Sequence, residues 1–443
     1  MLLPLSHTFM THLRTLVTVG CLLGGAGSLP AQERAVTLAE AIRRSERVQP
    51  DVIRAEGNVR AAGARIRSAW GSFLPTLSAS SSASEFFSEG ASRIDPVTGL
   101  LTSGNSSNRS LSTSLSASID LFTGFRRGAE LTAARADESA ADASLIDARF
   151  QQALVTTNQF LDALAAAQLL RVRETSVRRA QEQLNVSIAK LKAGSATRSD
   201  SLRSLVTLGN ARIEQLTAQT DLAAADANLA RLIGETGRIK AADDSAFYTT
   251  LPALDTHALR IEAESRSPRV QSAAASATAA RASVRASRSS YWPSLTLSAN
   301  TGWNGSRAND YDLLNQRQVS LALRWNIFDG FDREMTIAQR QADEDLAEAN
   351  ASAARLAVRA DLELRLAELQ AAQARIDIAG TSVVAASEDL RVQQERYRLG
   401  ASTIVDVLTS QEALNQAEVD VVDARFDYLR AKAQLEALIG RTL

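Results

Sequence analysis

Apolar and polar residues alternate strictly in two short stretches of the chain. From Leu111 to Leu121, and again from Val319 to Ile327, apolar positions alternate with mostly polar ones. A period of two predicts β-strands with one apolar and one polar face. A partner strand is expected just before each, next to a proline. The predicted strands are 74–87, 108–122, 293–303 and 317–328.

Two much longer stretches have a helical pattern. Residues 126–192 and 332–397 contain no proline and one glycine each. A helix of that length would extend for roughly 100 Å. Each stretch is followed by a glycine, Gly194 or Gly400, the residue best suited to the left-handed position after a helix.

A return helix is predicted after each glycine. Thr197–Asp200 and Thr403–Asp406 resemble capping boxes, with aspartate in place of the usual glutamate. Apolar residues then recur every seven positions, which predicts supercoiled helices. The sequence therefore predicts helical hairpins at 124–234 and 330–440, with tips at 194–200 and 400–406. The heptad of the second return helix is Val407, Leu414, Val421, Tyr428 and Leu435.

The second half of the chain repeats the first. The motif Leu229–Gly234 returns as Leu435–Gly440, 206 residues later, and Gly194 and Gly400 have the same spacing. One copy of such a unit usually cannot bury its apolar face alone. We therefore divide the chain into repeats at 32–234 and 258–443, joined by a linker at 235–257.

The first 31 residues have the composition of a secretory signal peptide, with an apolar, glycine-rich run behind His12 and Arg14. The lone cysteine, Cys21, lies inside it, and lipidation of Cys21 is the alternative interpretation. Export without disulfides is typical of a bacterial envelope protein.

Composition argues against several functions. With a net charge of -1 and 22% charged residues, the chain has no basic face for nucleic acid. His257 is the only histidine outside the signal peptide, which excludes histidine metal sites and triads from the mature chain. We expect no catalytic residue, no metal site and no cofactor, and hence no enzyme.

The predicted strands are long enough to cross a bilayer in a tilted barrel. A soluble antiparallel sheet is the alternative, but aromatic residues cluster at the strand ends, as they do at membrane interfaces. Because four strands cannot close a barrel, a membrane protein of this kind must oligomerise. The aromatic residues are Tyr291, Trp292, Trp303, Trp325 and Phe328.

These elements, in this order and duplicated, resemble the TolC-like outer-membrane efflux protein family over essentially the whole mature chain. The motifs that carry the resemblance are Thr37–Ala41, Phe73–Leu77 with Tyr291–Leu295, Leu121–Gly124 with Ile327–Gly330, and Tyr397–Leu408.

The resemblance implies a mostly α-helical fold with a small β part. Three chains would form a 12-stranded transmembrane β-barrel and a periplasmic α-barrel of helical hairpins. The resemblance further implies a passive exit duct in the outer membrane for tripartite efflux or type I secretion. The tips would contact a periplasmic adaptor protein, and an inner-membrane pump would supply the energy.

By match to the family's tip motifs, Asp200, Tyr397 and Asp406 are expected at the constriction. Three copies of Asp406 around a narrow axis would favour a bound cation. Ser402 and Thr409 stand where some members carry an arginine and an acid, so no gate-locking salt bridge is defined here, and Arg198 is the candidate substitute. The predicted tip residues are Gly194, Thr197, Arg198, Asp200, Tyr397, Gly400, Thr403 and Asp406.

A second hypothesis is a periplasmic coiled-coil scaffold without a pore, whose short strands form a soluble sheet. The aromatic-flanked alternating strands in both halves favour the duct, since a scaffold needs no outward apolar face. The exported substrate does not follow from the sequence.

Overall fold

The computed structural model describes residues 34–102, 106–237, 239–244, 255–306 and 312–441. The predicted signal peptide, with Cys21, lies outside the described residues, and so does part of the predicted linker.

The first half contains two short helices, a strand pair and one long helical hairpin. In chain order its elements are β1 (Arg34–Val36), α1 (Leu38–Val48), α2 (Pro50–Gly71), β2 (Thr76–Ser88), β3 (Arg93–Ile94), β4 (Leu101–Thr102), β5 (Ser106–Thr123), α3 (Arg126–Lys192) and α4 (Arg198–Ile233). The small hairpin of β3 and β4 lies between the predicted strands 74–87 and 108–122.

The described residues of the second half repeat this order without a counterpart of the small hairpin. Its elements are β6 (Ile239–Ala241), α5 (Thr256–Arg266), α6 (Pro268–Ser287), β7 (Ser294–Ser306), β8 (Leu314–Arg324), α7 (Asp332–Arg398) and α8 (Ile404–Ile439). The long helices α3 and α7 both have 67 residues, and α4 and α8 both have 36. The hairpins are therefore the same length in both halves. No helix in the described ranges combines the length and apolarity that a membrane crossing needs.

The four longer strands form one antiparallel sheet in the order β2-β5-β7-β8. The central pair, β5 with β7, joins the two halves in a register from Ser110 opposite Ser306 to Thr123 opposite Ser294. Strands β2 and β8 are the edges. Each half thus contributes one edge and one central strand.

Two details of the strands differ from the prediction. The fourth strand ends at Arg324, so Trp325 to Phe328 lie outside it. Arg324 pairs with Ser294, the first residue of β7, and Pro293 before it has no N–H to continue the ladder. In the first half a bulge between Asp120 and Phe122 interrupts the alternation, so Phe122 lies opposite Leu295.

The sheet has one hydroxyl face and one apolar face. Along β2 and β5, serine hydroxyls face each other in cross-strand pairs: Ser78 and Ser116 (2.6 Å), Ser80 and Ser114 (2.8 Å), Ser82 and Ser112 (2.7 Å), and Ser84 and Ser110 (2.8 Å). The opposite face is mainly leucine, alanine and valine and is open in the single chain, with Leu77 73% and Val319 74% exposed. It also carries a hydroxyl pair, Ser81 with Thr113, and an ion pair, Glu85 with Arg109.

The halves approach each other closely at Gly124, just before α3. Its φ is +60°, and a Cβ there would lie 2.5 Å from the carbonyl oxygen of Ser289 and 2.8 Å from the Cβ of Trp292. Only glycine fits this position. The equivalent residue, Gly330, has a φ of +73°, but nothing lies within 4 Å of its Cβ position.

The main hydrophobic core lies midway along the hairpins, where the short helices pack against the long ones. Its largest fully buried side chains are Phe160, Leu161, Leu229, Leu362, Phe426 and Leu435. A parallel pair of strands that the sequence did not predict is part of this core. Strand β1 pairs with β6, and Val36, Ile239 and Ala241 are buried there.

Candidate functional site

The two hairpin tips end their long helices in the same way. Gly194 has a φ of +72°, and the next residue, Ser195, donates its backbone N–H to the carbonyl of Lys190 at 2.9 Å. Gly400 has a φ of +79°, and Ala401 donates to the carbonyl of Arg396 at 2.8 Å. These are Schellman motifs, which satisfy carbonyls that a helix end leaves free.

Both predicted capping boxes are formed. The N–H of Thr197 donates to Asp200 Oδ2 at 2.9 Å, and the N–H of Asp200 donates to Thr197 Oγ1 at 3.3 Å. Thr403 and Asp406 repeat both bonds at 2.9 and 3.3 Å. The N-cap residue of each return helix therefore lies three residues after the tip glycine, which makes the tips short and well defined.

Asp406 accepts more hydrogen bonds than a cap requires. The hydroxyls of Ser402 and Thr403 also donate to its Oδ2, at 3.0 and 2.8 Å. The backbone N–H of Thr403, these two hydroxyls and the positive charge of Arg396 together hold the pKa of Asp406 below its usual range. The carboxylate is exposed and stays ionised at neutral pH, so it is a fixed negative charge at the end of the second hairpin.

Tyr397 is buried between the two hairpins, only 6% exposed. Its backbone carbonyl accepts a hydrogen bond from Lys190 Nζ at 2.7 Å, and the same ammonium lies 4.6 Å from the centre of the Tyr397 ring. Burial, with the nearby charge of Asp200, raises the pKa of Tyr397. Lys190 thus joins the end of α3 to the end of α7.

The Tyr397 hydroxyl is buried without a hydrogen-bond partner among the described residues. The hydroxyl of nearby Ser187 is already engaged, since it donates to the carbonyl of Gln183 at 3.0 Å and lies 2.9 Å from the hydroxyl of Ser204. This end of the hairpin contact is held by the lysine and by the tyrosine ring, with the hydroxyl contributing no bond.

Farther from the tips, a polar contact links α3 to α8. Arg179 donates to Glu418 at 2.5 and 2.8 Å and to Asn415 Oδ1 at 2.8 Å, and the Arg179 and Glu418 side chains are 18% and 23% exposed. Gln411, one helical turn closer to the tip than Asn415, is 2% exposed, and neither of its side-chain polar atoms is hydrogen-bonded. Unsatisfied buried polar groups are costly, so this interface is weaker than an apolar one of equal area.

A groove of about 1110 Å³ runs beside the tips between α4 and α8. Its walls combine apolar side chains with two acids, and Ser176 of α3 also lines it. The wall residues include Leu202, Val206 and Glu214 on α4 and Val405, Leu408 and Glu412 on α8.

The predicted tip residues fall into three environments. Gly194, Thr197, Gly400 and Thr403 form the caps, Asp200 and Asp406 complete them, and Tyr397 is buried in the contact between hairpins. Arg198 is exposed and makes no ion pair among the described residues, so it does not replace the missing gate arginine within one chain.

Sequence reasoning missed Lys190 and the Arg179 contact. A signal for Lys190 was present, because Lys190 and Lys192 are two of only four lysines in the chain. Within the ranges that the structure describes, no cluster of histidine, cysteine or acidic residues could hold a metal ion.

Comparison with known proteins identifies related chains. A family model described as outer membrane efflux protein matches residues 41–235 and 259–441, one match in each half. The pyoverdine export outer membrane protein OpmQ of Pseudomonas aeruginosa is 26% identical over 350 residues, which cover 76% of this chain and 72% of OpmQ.

Outer membrane protein TolC of Escherichia coli is 24% identical over 304 residues, 66% of this chain, and the match spans only 62% of TolC. The crystal structure of the outer membrane protein VceC from Vibrio cholerae superposes with a TM-score of 0.75 at 19% identity, covering 91% of this chain and 96% of that one. At this identity the likeness concerns the fold.

Proposed function

Because the chain belongs to the outer membrane efflux protein family, we propose that it is a passive exit duct formed by three copies of itself. It is an outer-membrane protein with its helical part in the periplasm. In this proposal twelve strands form a barrel through the membrane, and the hairpins form a tunnel below it. The observation that carries the proposal is that the open surfaces of one chain are repeats of surfaces that are already paired inside it.

The sheet edges provide the first such surface. By the internal repeat, β8 is the counterpart of β5, and β2 is the counterpart of β7. Since β5 pairs with β7 inside the chain, β8 of one copy can pair with β2 of the next in the same way. Lipid does not tolerate open strand edges, and a ring of copies leaves none.

The return helices provide the second open surface that repeats a paired one. Helix α8 packs against both α7 and α3, whereas α4 packs chiefly against α3. Gln411 and Val422 of α8 are 2% and 7% exposed, but their counterparts on α4, Leu205 and Leu216, are 52% and 61% exposed. The apolar face of α4 therefore lacks the partner that α3 gives to α8, and α7 of the next copy is the equivalent element.

The helix tips are the proposed gate. The contact of Lys190 with Tyr397 holds the two hairpins together at the periplasmic end, and the polar contact around Arg179 holds them farther up. We propose that an adaptor protein docks in the groove between α4 and α8, and that engagement of the pump separates the hairpins. The chain itself would bind and guide substrate without chemistry, which agrees with the channel function of its family.

Native mass spectrometry of the mature protein, extracted from outer membranes in detergent, tests the assembly. We expect a trimer that conducts ions when it is reconstituted in a planar bilayer. A monomer that is soluble without detergent would contradict the duct and leave the periplasmic scaffold as the explanation.

Conductance of a Lys190→Met variant tests the gate. Loss of the ammonium removes the bond to the Tyr397 carbonyl, so we expect a larger conductance or more frequent opening than in the wild type. Lys192→Met is the matched control, because this variant removes the same charge two residues away, at an exposed side chain. Equal conductance of both variants and the wild type would exclude Lys190 from the gate.

A further inference from the structure

A second cavity lies where the sheet meets the helices, far from the tips. It has a volume of about 510 Å³ and lies at the start of α3. Three aromatic rings and two arginines line it, with no acidic residue among its lining side chains. The residues used below are Phe73, Phe122, Phe125, Arg127, Gly128 and Arg285.

Arg127 is held firmly but keeps hydrogen-bonding capacity. Its guanidinium lies 4.7 Å from the centre of the Phe73 ring, and its Nη atoms donate to the backbone carbonyls of Ser72 and Leu121 at 3.0 and 3.3 Å. A guanidinium has five N–H donors, so donors remain for a further acceptor. Among the described residues, neither Arg127 nor Arg285 has an acidic partner.

The second half of the chain contains the same arrangement with its acceptor in place. Arg333, the counterpart of Arg127, lies 4.4 Å from the centre of the Tyr291 ring and donates to the carbonyl of Asn326 at 3.2 Å. There, Glu334 Oε1 lies 3.3 Å from Arg333 Nε and accepts a hydrogen bond from the Tyr291 hydroxyl at 3.2 Å. In the second half, the arginine that packs on an aromatic ring is thus paired with a carboxylate.

Gly128 stands in the first half where Glu334 stands in the second. Nothing lies within 4 Å of the Cβ position of Gly128, so the space that a glutamate side chain would occupy is open. The cavity therefore lies where the second half has a carboxylate, and the arginine beside that position is present in both halves.

We propose that this cavity binds the phosphate of an anionic phospholipid from the periplasmic leaflet of the outer membrane. Arg127 and Arg285 hold the phosphate, and the rings of Phe122 and Phe125 line the path of an acyl chain. The site goes beyond the export function and depends only on the position of the chain in the outer membrane.

The surroundings favour a lipid over a free phosphate ion. Phe125 is 70% exposed and stacks edge-on against Phe122 and Trp292, at 5.3 and 6.0 Å between ring centres. Exposed aromatic rings at the end of a membrane sheet lie at the level of the lipid headgroups. Basic pockets at that level recognise anionic headgroups, and arginine binds phosphate through paired hydrogen bonds.

Native mass spectrometry with added phosphatidylglycerol tests the proposal. We expect the wild-type protein to retain one lipid per protomer. Arg127→Gln should weaken retention by about tenfold, which is the effect of losing one charge-assisted contact. Gly128→Glu should do the same by supplying the missing carboxylate, while Gly128→Ala should keep the lipid. Arg333→Gln is the matched control at the occupied site and should also keep it.

Equal retention by Arg127→Gln and the wild type would overturn the site. Displacement of the lipid by inorganic phosphate at equal concentration would overturn the lipid as its ligand, because the aromatic wall would then contribute nothing. Lipid counting needs neither a trimer nor conductance, so failure of the proposed duct and failure of this site give different results. Thermal unfolding of each variant checks that the fold is retained.

Discussion

The two halves of the chain share one backbone geometry but differ in the side chains that pack within it. Both hairpins have the same lengths, the same Schellman motif and the same capping box. Behind the first tip a hydroxyl pair, Ser187 with Ser204, lies beside a small apolar cluster that includes Leu184 and Leu208. Behind the second tip the apolar cluster is built around the ring of Tyr397. The duplication thus preserves geometry, and the side chains assign each copy its own contacts.

The same contrast appears where sheet and helices meet. Gly124 is tightly covered by the second half, while Gly330 is open. Arg127 faces a cavity, while Arg333 faces Glu334. A contact made by one half and missing from the other therefore indicates where a neighbour belongs, whether that neighbour is a second copy or a lipid.

We expect the largest difference in stability between the halves from the variants Gly124→Ala and Gly330→Ala. At Gly124 the new methyl group meets backbone at 2.5 Å and a positive φ, so we expect a loss of about 3 kcal/mol in the free energy of unfolding. In an isolated chain Gly330→Ala should cost only the strain of its positive φ, about 1 kcal/mol. In the assembly it should also prevent trimer formation.

Denaturant unfolding measures the first effect and native mass spectrometry the second. A Gly330→Ala variant that forms normal trimers would contradict the view that Gly330 approaches the next copy as Gly124 approaches Ser289.

Tyr397→Ala tests how much the side-chain packing behind the second tip contributes to stability, compared with the first tip. Deleting a large buried aromatic side chain typically costs about 3 kcal/mol, so we expect the second tip to lose protection from hydrogen exchange. Leu191→Ala, at the equivalent position of the first half, should cost less because Leu191 is only partly buried. Tyr397→Phe is the control: it removes only a hydroxyl without a partner and should change stability by less than about 0.5 kcal/mol.

Thr197→Ala and Thr403→Ala compare the caps, where the halves are alike. Each change removes the side-chain acceptor of its capping box and should cost about 1 kcal/mol. Thr403→Ala also removes the hydroxyl bond to Asp406, so its cost should be slightly larger. Thermal unfolding of the two variants, with Thr217→Ala as a control at an exposed position of α4, measures this. Costs that differ severalfold would show that the tips are not equivalent even in their backbone.

Acid should loosen the second tip through Asp406. The folded-state pKa of Asp406 lies below its unfolded value of about 3.9, so its contribution to stability is present above that pH. It is lost as the pH falls through the folded value. Hydrogen exchange at the second tip, corrected for the intrinsic rate, should rise below about pH 4. Asp406→Asn should remove this step, and an unchanged step in that variant would assign it to another group.

Local and periodic features were predictable from the sequence. The capping boxes depend on residues three positions apart, and the long helices and alternating strands repeat their signal many times. Strands β1 and β6 were not predictable, because three residues carry no period and their partners are about 200 positions apart. The end of the fourth strand was missed because its apolar alternation continues past the last residue that has a partner.

The site was predictable only in outline. Match to a motif located the tips, but the contact of Lys190 with Tyr397 joins two hairpins and leaves no local pattern. The Gly128 and Glu334 difference was present in the aligned halves, although its meaning required the cavity and the arginine beside it.

The serine pairs of β2 and β5 have a consequence for any solute that contacts that face. In each pair either oxygen can be the donor, so the hydroxyl protons can reorient while the heavy atoms stay in place. Such a surface has no fixed polarity: it turns oxygen lone pairs toward a cation and hydrogens toward an anion. This face thus presents rows of adjustable hydroxyls, next to the carboxyl group of Asp120, which accepts a hydrogen bond from Thr296 at 2.8 Å.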